Sequence, residues 1–194
     1  MCIRDSYRYC WLRDAFFVVR ALNSLSEVAT MEDYLRWMSN VVIDSQGGHI
    51  QPLFGIGLEK SLPESFVDNL PGYRGMGPVR VGNQAQEHFQ HDVYGNVILG
   101  AAQAFHDHRL LHRAGAREFR ALERVGEQAV RVFDQPDAGM WELRTRARIH
   151  TSSAIMSWAA CDRLAKIAAT LKLPDRADSV SYTHLRAHET PEHL

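Results

Sequence analysis

The sequence predicts a mostly α-helical protein, and three observations carry that prediction. Apolar residues recur at three- and four-residue spacing in five separate stretches, as on one face of a helix. The two-residue alternation of a half-buried strand is almost absent. One long interval, from Asp44 to Gly82, has neither period and is punctuated throughout by glycine and proline.

The first helix follows YRYCWLRD, residues 7–14, where Ala15, Phe16, Val18, Val19, Ala21 and Leu22 form an apolar run. That run places Arg13 and Asp14 at a helix N-terminus. Two readings of the pair stand side by side. It is a local ion pair with a first-turn acid, worth about a few tenths of a kcal/mol at an exposed site. Or it is a fork of N–H donors beside a carboxylate, able to hold several hydroxyls while Tyr9 and Trp11 offer flat apolar faces. Sugars need that combination, because their C–H patches stack on aromatics and their hydroxyls want charged partners.

Thr30 is placed to cap the second helix, with Asp33 three residues on, and Tyr34, Leu35, Met38, Val41 and Val42 carry its stripe to about Ile43. Trp37 reads as packing. The interval from Asp44 to Gly82 is too long for an ordinary connection, and such excursions are functional loops or small strand pairs. Short strands are expected within 50–56 and 78–81, and Gly72-Tyr73-Arg74-Gly75 permits close backbone approach. A third helix is expected from QAQEHFQHDVYG, residues 84–95, to about Arg113, with Val93, Val97, Ile98, Ala101, Phe105 and Leu110 as its stripe. Asp92, Tyr94 and Gly95 lie near its start. His91 and Asp92 are adjacent and point about 100 degrees apart, and His106 and His108 share no face, so neither pair reads as a site. His108 and His112 do share a face, but without an H-E-x-x-H pattern they read as solvated surface.

A fourth helix spans 117–133 on Phe119, Leu122, Val125, Ala129, Val132 and Phe133. Asp134-Gln135-Pro136-Asp137-Ala138-Gly139 are turn residues, and a fifth helix opens at Thr151-Ser152-Ser153 and runs to about Leu171, before Pro174. Between these two helices lies Gly139-Met140-Trp141-Glu142-Leu143-Arg144. A short loop thus presents the Glu142 carboxylate, and an indole wall from Trp141 would disfavour its charged form and raise its pKa toward the range of a proton donor. Taken alone, the pair also reads as a first-turn acid complementing the helix dipole, with the Trp in the core.

The composition, 45% apolar and 23% charged over 194 residues, is that of a globular chain. A net charge of −1 leaves no electrostatic footprint for nucleic acid or an anionic membrane, and no partner of either kind is expected. Cys2, Cys10 and Cys161 are odd in number and lack metal or disulfide spacing, which suggests a reducing, cytoplasmic setting. No apolar run is long enough to span a bilayer. Neither cofactor nor metal is called for. Both ends look foreign: residues 1–6 (MCIRDS) and 179–194 (SVSYTHLRAHETPEHL) resemble translated sequencing-adapter sequence, and the tail, with His184, His188 and His193, is expected neither to pack nor to bind metal.

Three stretches in this order, YRYCWLRDA, GYRGMGPVRVGNQAQEHFQHDVYG and GMWELRTRARIHTSSAIMSWAACDRLAKIA, resemble the bacterial branch of glycoside hydrolase family 15, the glucoamylase and microbial trehalase family. The resemblance covers residues 7–178. It implies an (α/α)6 toroid, of which this chain would form about half, with the long irregular interval carrying short strands. It also implies an inverting mechanism in which one carboxylic acid protonates the glycosidic oxygen and a second carboxylate activates water. By that resemblance Glu142 is the general acid, and Arg13 and Asp14 grip the innermost glucose. Tyr9, Trp11 and Trp141 are pocket walls, Asp92 belongs to an Asp-x-Tyr-Gly signature on the substrate side, and Arg144 is a substrate-side neighbour. The family's general base is a Glu further downstream than this sequence reaches. The expectation is therefore a parent enzyme acting on α-glucosidic bonds of oligosaccharides, glucoamylase-like first and α,α-trehalase as the alternative. The 194-residue chain itself is expected to be inactive, with apolar edges exposed. Two other classes stay open: a toroid that binds without cutting, as in subunits of phosphorylase kinase, and a helical scaffold for protein partners.

Overall fold

The computed structural model describes residues 8–180. The sequence expectations for residues 1–6, and for nearly all of the tail from 179, lie outside that range; Val180, at its start, packs against the core. Helices dominate the described residues: α1 (Leu12–Ser24), α2 (Val28–Ser45), α3 (Asp92–Ala101), α4 (Gln103–His106), α5 (Ala116–Val132) and α6 (Thr151–Thr170). Residues 174–180 are helical as well.

The centre of the fold is α3. It is apolar on nearly every side, and a helix with that pattern has to be wrapped by others. It packs against α6 and α1 and, more lightly, α5, with α2 outside α1 and α5. Gly95 makes the α3–α6 contact possible: a Cβ there would sit 2.3 Å from the Met156 carbonyl oxygen. The main core joins Leu12, Met38, Val97, Ile98, Phe119, Val125 and Leu164, residues from every long helix. Full burial of each larger side chain contributes about 1.5–3 kcal/mol.

Two small antiparallel pairs decorate the helices. In one, β1 (Cys10–Trp11) pairs with β2 (Leu53–Phe54), Cys10 opposite Phe54. In the other, β3 (Ser65–Phe66) pairs with β4 (Arg80–Val81), Ser65 opposite Val81. Both β2 and β4 fall inside the intervals where strands were expected. The β1–β2 pair has the larger consequence, since it and the Leu12 N–H, which donates to Pro52 O at 3.0 Å, fix where α1 begins and so where Arg13 and Asp14 stand.

Two helix boundaries differ from the sequence expectation. The cap of α2 is Glu27, whose carboxylate accepts from Thr30 N at 3.2 Å, so Thr30 lies inside the first turn. The expected helix from 84 to 113 is divided into a 3-10 turn at Gln84–Glu87, an extended strap, α3 and α4. Asp107 ends it, because its carboxylate accepts from the Arg109 N–H at 2.9 Å and from Gln103 Nε2 at 2.8 Å, closing the chain into a turn. Leu110 remains buried, though on a loop. On α1, Phe17 is 61% exposed and Val18 56%, and Val18 faces the hollow described below.

Candidate active site

A hollow of about 850 Å³ opens where the start of α1, the β3–β4 region and the loop before α6 converge. That volume lies in the range of small-ligand sites, about 300–1,000 Å³. Its lining includes Tyr9, Trp11, Arg13, Asp14, Trp141, Glu142 and Arg144. The structure thus brings together residues that the sequence singles out at positions more than a hundred apart.

Arg13 projects from the first turn of α1 and is the hub. Its Nη1 donates to Gln90 Oε1 at 3.1 Å and to Asp92 Oδ2 at 3.3 Å, and its Nη2 stands 3.7 Å from Glu142 Oε1. Asp92 is the first residue of α3, only 3% exposed, and also accepts from Asn96 Nδ2 at 3.0 Å. Burial raises the Asp92 carboxyl above its ordinary pKa, opposed by the Arg13 charge. The hollow's lining does not include Asp92, so its place is behind Arg13, supporting the guanidinium. Asp14 is exposed and lines the hollow, and its carboxylate makes no hydrogen bond or ion pair among the described residues.

Glu142 sits at φ +54°, a left-handed backbone that a non-glycine residue adopts at a cost of about 1–3 kcal/mol. The bend is held by Glu142 N–H to Gly139 O and Leu143 N–H to Ala138 O, both at 3.1 Å, and it turns the side chain inward toward Arg13. Half-burial raises its pKa. The Arg13 charge opposes the rise and Asp14 adds to it, with Arg144 lowering and Asp92 raising it less. Trp141 lines the hollow but is 81% exposed, so its indole covers little of the carboxylate here.

Arg144 is tied down at the mouth. Its Nη2 donates to Glu64 Oε2 and its Nη1 to Gln84 Oε1, both at 2.9 Å, while Arg80 Nη1 reaches Glu64 Oε1 at 3.0 Å. The hydrogen bonds from Arg144 hold the Glu64 carboxyl below its ordinary pKa. On the far wall the Tyr9 hydroxyl accepts from Gly82 N at 3.1 Å. Gln90, Glu64, Arg80 and Asp137 are the site residues that sequence reasoning missed. Gln90 lies inside one of the family-like stretches, two residues before Asp92. Asp137 reads from sequence only as a turn former. Glu64 and Arg80 stand in the interval without periodicity, where no local spacing marks them.

What the hollow can do is acid–base chemistry on a hydroxylated ligand. A half-buried acid with a raised pKa faces an exposed carboxylate and a fixed guanidinium, with aromatic rings at the walls. Thiol chemistry is disfavoured, because burial pushes both Cys10 and Cys161 up to about 11. Among the described residues no group of three or more His, Cys, Asp or Glu is placed to hold a metal ion. A second hollow, about 630 Å³ between α2 and α5, carries Glu32 and Glu118. Both of those carboxylates are already engaged by backbone N–H groups, of Leu111 and Gly115.

The family model for glycosyl hydrolases family 15 matches residues 4–189. The chain belongs to that family. A trehalase of Mycobacterium tuberculosis is 34% identical over 170 residues, which cover 84% of this chain and 24% of that protein. A Thermoplasma volcanium trehalase is 30% identical over 171 residues, 86% of this chain and 26% of that protein. Trehalase 1 of Sulfolobus acidocaldarius is 29% identical over 161 residues, 83% of this chain and 29% of that protein. The family 15 chain therefore spans about a quarter of the length of the curated relatives it matches. No solved structure matches it significantly. With the family shown, the mostly α architecture is that of a partial (α/α)6 toroid. Among the described residues no helix is long and apolar enough to cross a membrane.

Proposed function

We propose that this chain is the part of a family 15 glycoside hydrolase that carries the proton donor and the innermost sugar site, and that the whole enzyme hydrolyses trehalose. One observation carries the reading: Glu142, half-buried with a raised pKa, stands 3.7 Å from Arg13 in a hollow that Asp14 also lines. A general acid has to hold its proton at working pH, and burial supplies that condition. Arg13, fixed from behind by Asp92 and Gln90, presents N–H donors to sugar hydroxyls, and Asp14 presents an unengaged acceptor. Activity should fall as the pH rises through the Glu142 pKa, since the ionised form has no proton to give.

Inversion needs a second carboxylate about 6.5–9.5 Å away across the sugar. Asp92 and Glu64 are each held by arginines, and Asp14 belongs to the grip with Arg13. The family resemblance implies a base further downstream, and the chain spans about a quarter of its relatives' length; on that ground we place the base outside this chain and expect the 194-residue chain alone to be inactive.

The names of the relatives favour trehalose over the glucan expected first from sequence: the relatives from two bacteria and three archaea are all called trehalases. An α-glucan oligosaccharide is the second reading. A toroid that binds without cutting is the reading of another class, and it predicts sugar binding without hydrolysis. The test is the ratio of kcat/KM for trehalose against maltose and maltotriose on the full-length enzyme. Trehalose preferred about tenfold or more is expected. A preference for maltose overturns the substrate, and hydrolysis of none overturns the activity.

A further inference from the structure

We propose that Asp137 is a positioning residue for the proton donor: it clamps the loop bearing Glu142 to the strap bearing the support of Arg13, and so sets the distance between Glu142 and Arg13. The inference rests on Glu142 being the donor. Asp137 lies five residues before it, and its side chain is 0% exposed.

Three separate segments meet on this one carboxylate. Its Oδ2 accepts from the backbone N–H of His91 at 2.6 Å and from the Ser153 hydroxyl at 2.8 Å. Its Oδ1 accepts from the Gly139 N–H at 3.2 Å, with His150 Nε2 3.8 Å away. His91 immediately precedes Asp92 and follows Gln90, the two residues that hold Arg13. Ser153 lies in the first turn of α6, and Gly139 starts the bend that turns Glu142 inward. The main chain adds to the grip. Asp137 and Arg148 exchange both backbone hydrogen bonds, at 2.9 and 3.0 Å, which closes the loop between them, and Ala138 N–H donates to Phe89 O at 2.9 Å.

A closed circuit results. It runs from Glu142 to Arg13, through Asp92 and Gln90 to the His91 amide, across Asp137 to Gly139, and back along the bend to Glu142. Gly139 itself is at φ +65°, and a Cβ on it would lie 2.7 Å from His150 Nε2, so the turn tolerates no side chain. A strained backbone of the kind Glu142 shows persists only where its surroundings over-determine it. Burying a carboxylate is expensive, and a neutral group of equal size would avoid that cost. What the carboxylate adds is direction: two oxygens that fix an amide on either side of the site at once.

The test uses Asp137→Asn in the full-length enzyme, with Glu142→Gln in parallel. An amide has one accepting oxygen, so either the Gly139 side or the His91 and Ser153 side loses its bond. With the loop loosened, kcat on trehalose should fall about ten- to a hundredfold while KM changes less than about twofold. Water reaching Glu142 should also remove part of the burial that raises its pKa, moving the alkaline limb of the kcat profile to lower pH. α-Glucosyl fluoride, whose leaving group needs no proton, should be cleaved at close to the unaltered rate. A merely structural role predicts something else: both substrates lost in parallel and the alkaline limb unmoved. That result overturns the clamp. If Asp137→Asn fails to fold, Ser153→Ala removes one of the bonds and should shift the limb in the same direction by less; an unmoved limb again overturns it. Retained trehalose hydrolysis in Glu142→Gln would sink the donor assignment itself, whereas an inactive Glu142→Gln beside an unshifted Asp137→Asn sinks only the clamp.

Discussion

Replacing Arg13 by leucine should destabilise the fold by an amount that depends steeply on pH. The guanidinium, 18% exposed, holds the Asp92 carboxylate from 3.3 Å, and the Asp92 side chain is 5% exposed. Taking away one partner of such a pair costs about 3–5 kcal/mol if the remaining charge stays ionised. Asp92 has an escape, because it can bind a proton instead. At pH 7 that route costs up to about 4 kcal/mol, the distance from the ordinary aspartate pKa near 3.9 at about 1.4 kcal/mol per unit. At about pH 5 the same route costs only about 1.5 kcal/mol. In the wild type, burial has already raised the Asp92 pKa against the pull of Arg13, so part of this cost is present before the substitution. We therefore expect a loss of about 2–4 kcal/mol near pH 7, shrinking to about 1 kcal/mol near pH 5. The sign comes from proton counts. The folded variant holds a proton that the unfolded chain releases above about pH 3.9, so variant stability falls as pH rises. Glu142, also losing the Arg13 charge, shifts the same way. Urea unfolding of Arg13→Leu and wild type at both pH values measures the difference. A gap that is equal at pH 5 and pH 7, or below about 1 kcal/mol at pH 7, would show that the pair does not carry the weight assigned to it.

Gly95→Ala should destabilise by about 2 kcal/mol or more, despite the roughly 1 kcal/mol that alanine gains in helix propensity, because its Cβ would meet the Met156 carbonyl. An unchanged or raised urea midpoint would contradict the close α3–α6 approach. Glu64→Gln should cost about 1 kcal/mol near neutral pH by releasing Arg144 and Arg80. Since the folded Glu64 pKa is depressed, that gap should be complete above the ordinary value of 4.5 and close as pH falls through the folded pKa. A gap that persists in acid would contradict it.

Most of the helical framework was legible because it is written in local periodicity. The stripes of α1, α2, α5 and α6 gave their existence and faces, and Arg13, Asp14 and Glu142 could be placed at helix and loop ends from the same pattern. What was not legible depends on bonds between distant residues. Thr30 looks like a cap, yet Glu27 wins by reaching forward to its amide. A continuous apolar stripe ran past Ala101, while the turn at Asp107 is set by side-chain bonds that periodicity does not register. Asp92 carried a family signature that implied a substrate-side place, and no local spacing showed that it would be buried and hold Arg13. Asp137 sits in a string of turn residues, and nothing local distinguishes a turn former from a buried carboxylate joining three segments. Glu64 pairs with Arg144 across eighty positions, beyond the reach of any spacing rule.

The most direct measurement is of Glu142→Gln in the full-length enzyme on two substrates that share the α-glucosyl group and differ in whether the leaving group needs a proton. If Glu142 donates to the departing oxygen, the variant should lose about 10²–10⁴-fold on trehalose and keep most of its rate on α-glucosyl fluoride, whose fluoride leaves unaided. Equal losses on both substrates, or trehalose hydrolysis at the unaltered rate, would contradict the assignment of Glu142 as the proton donor.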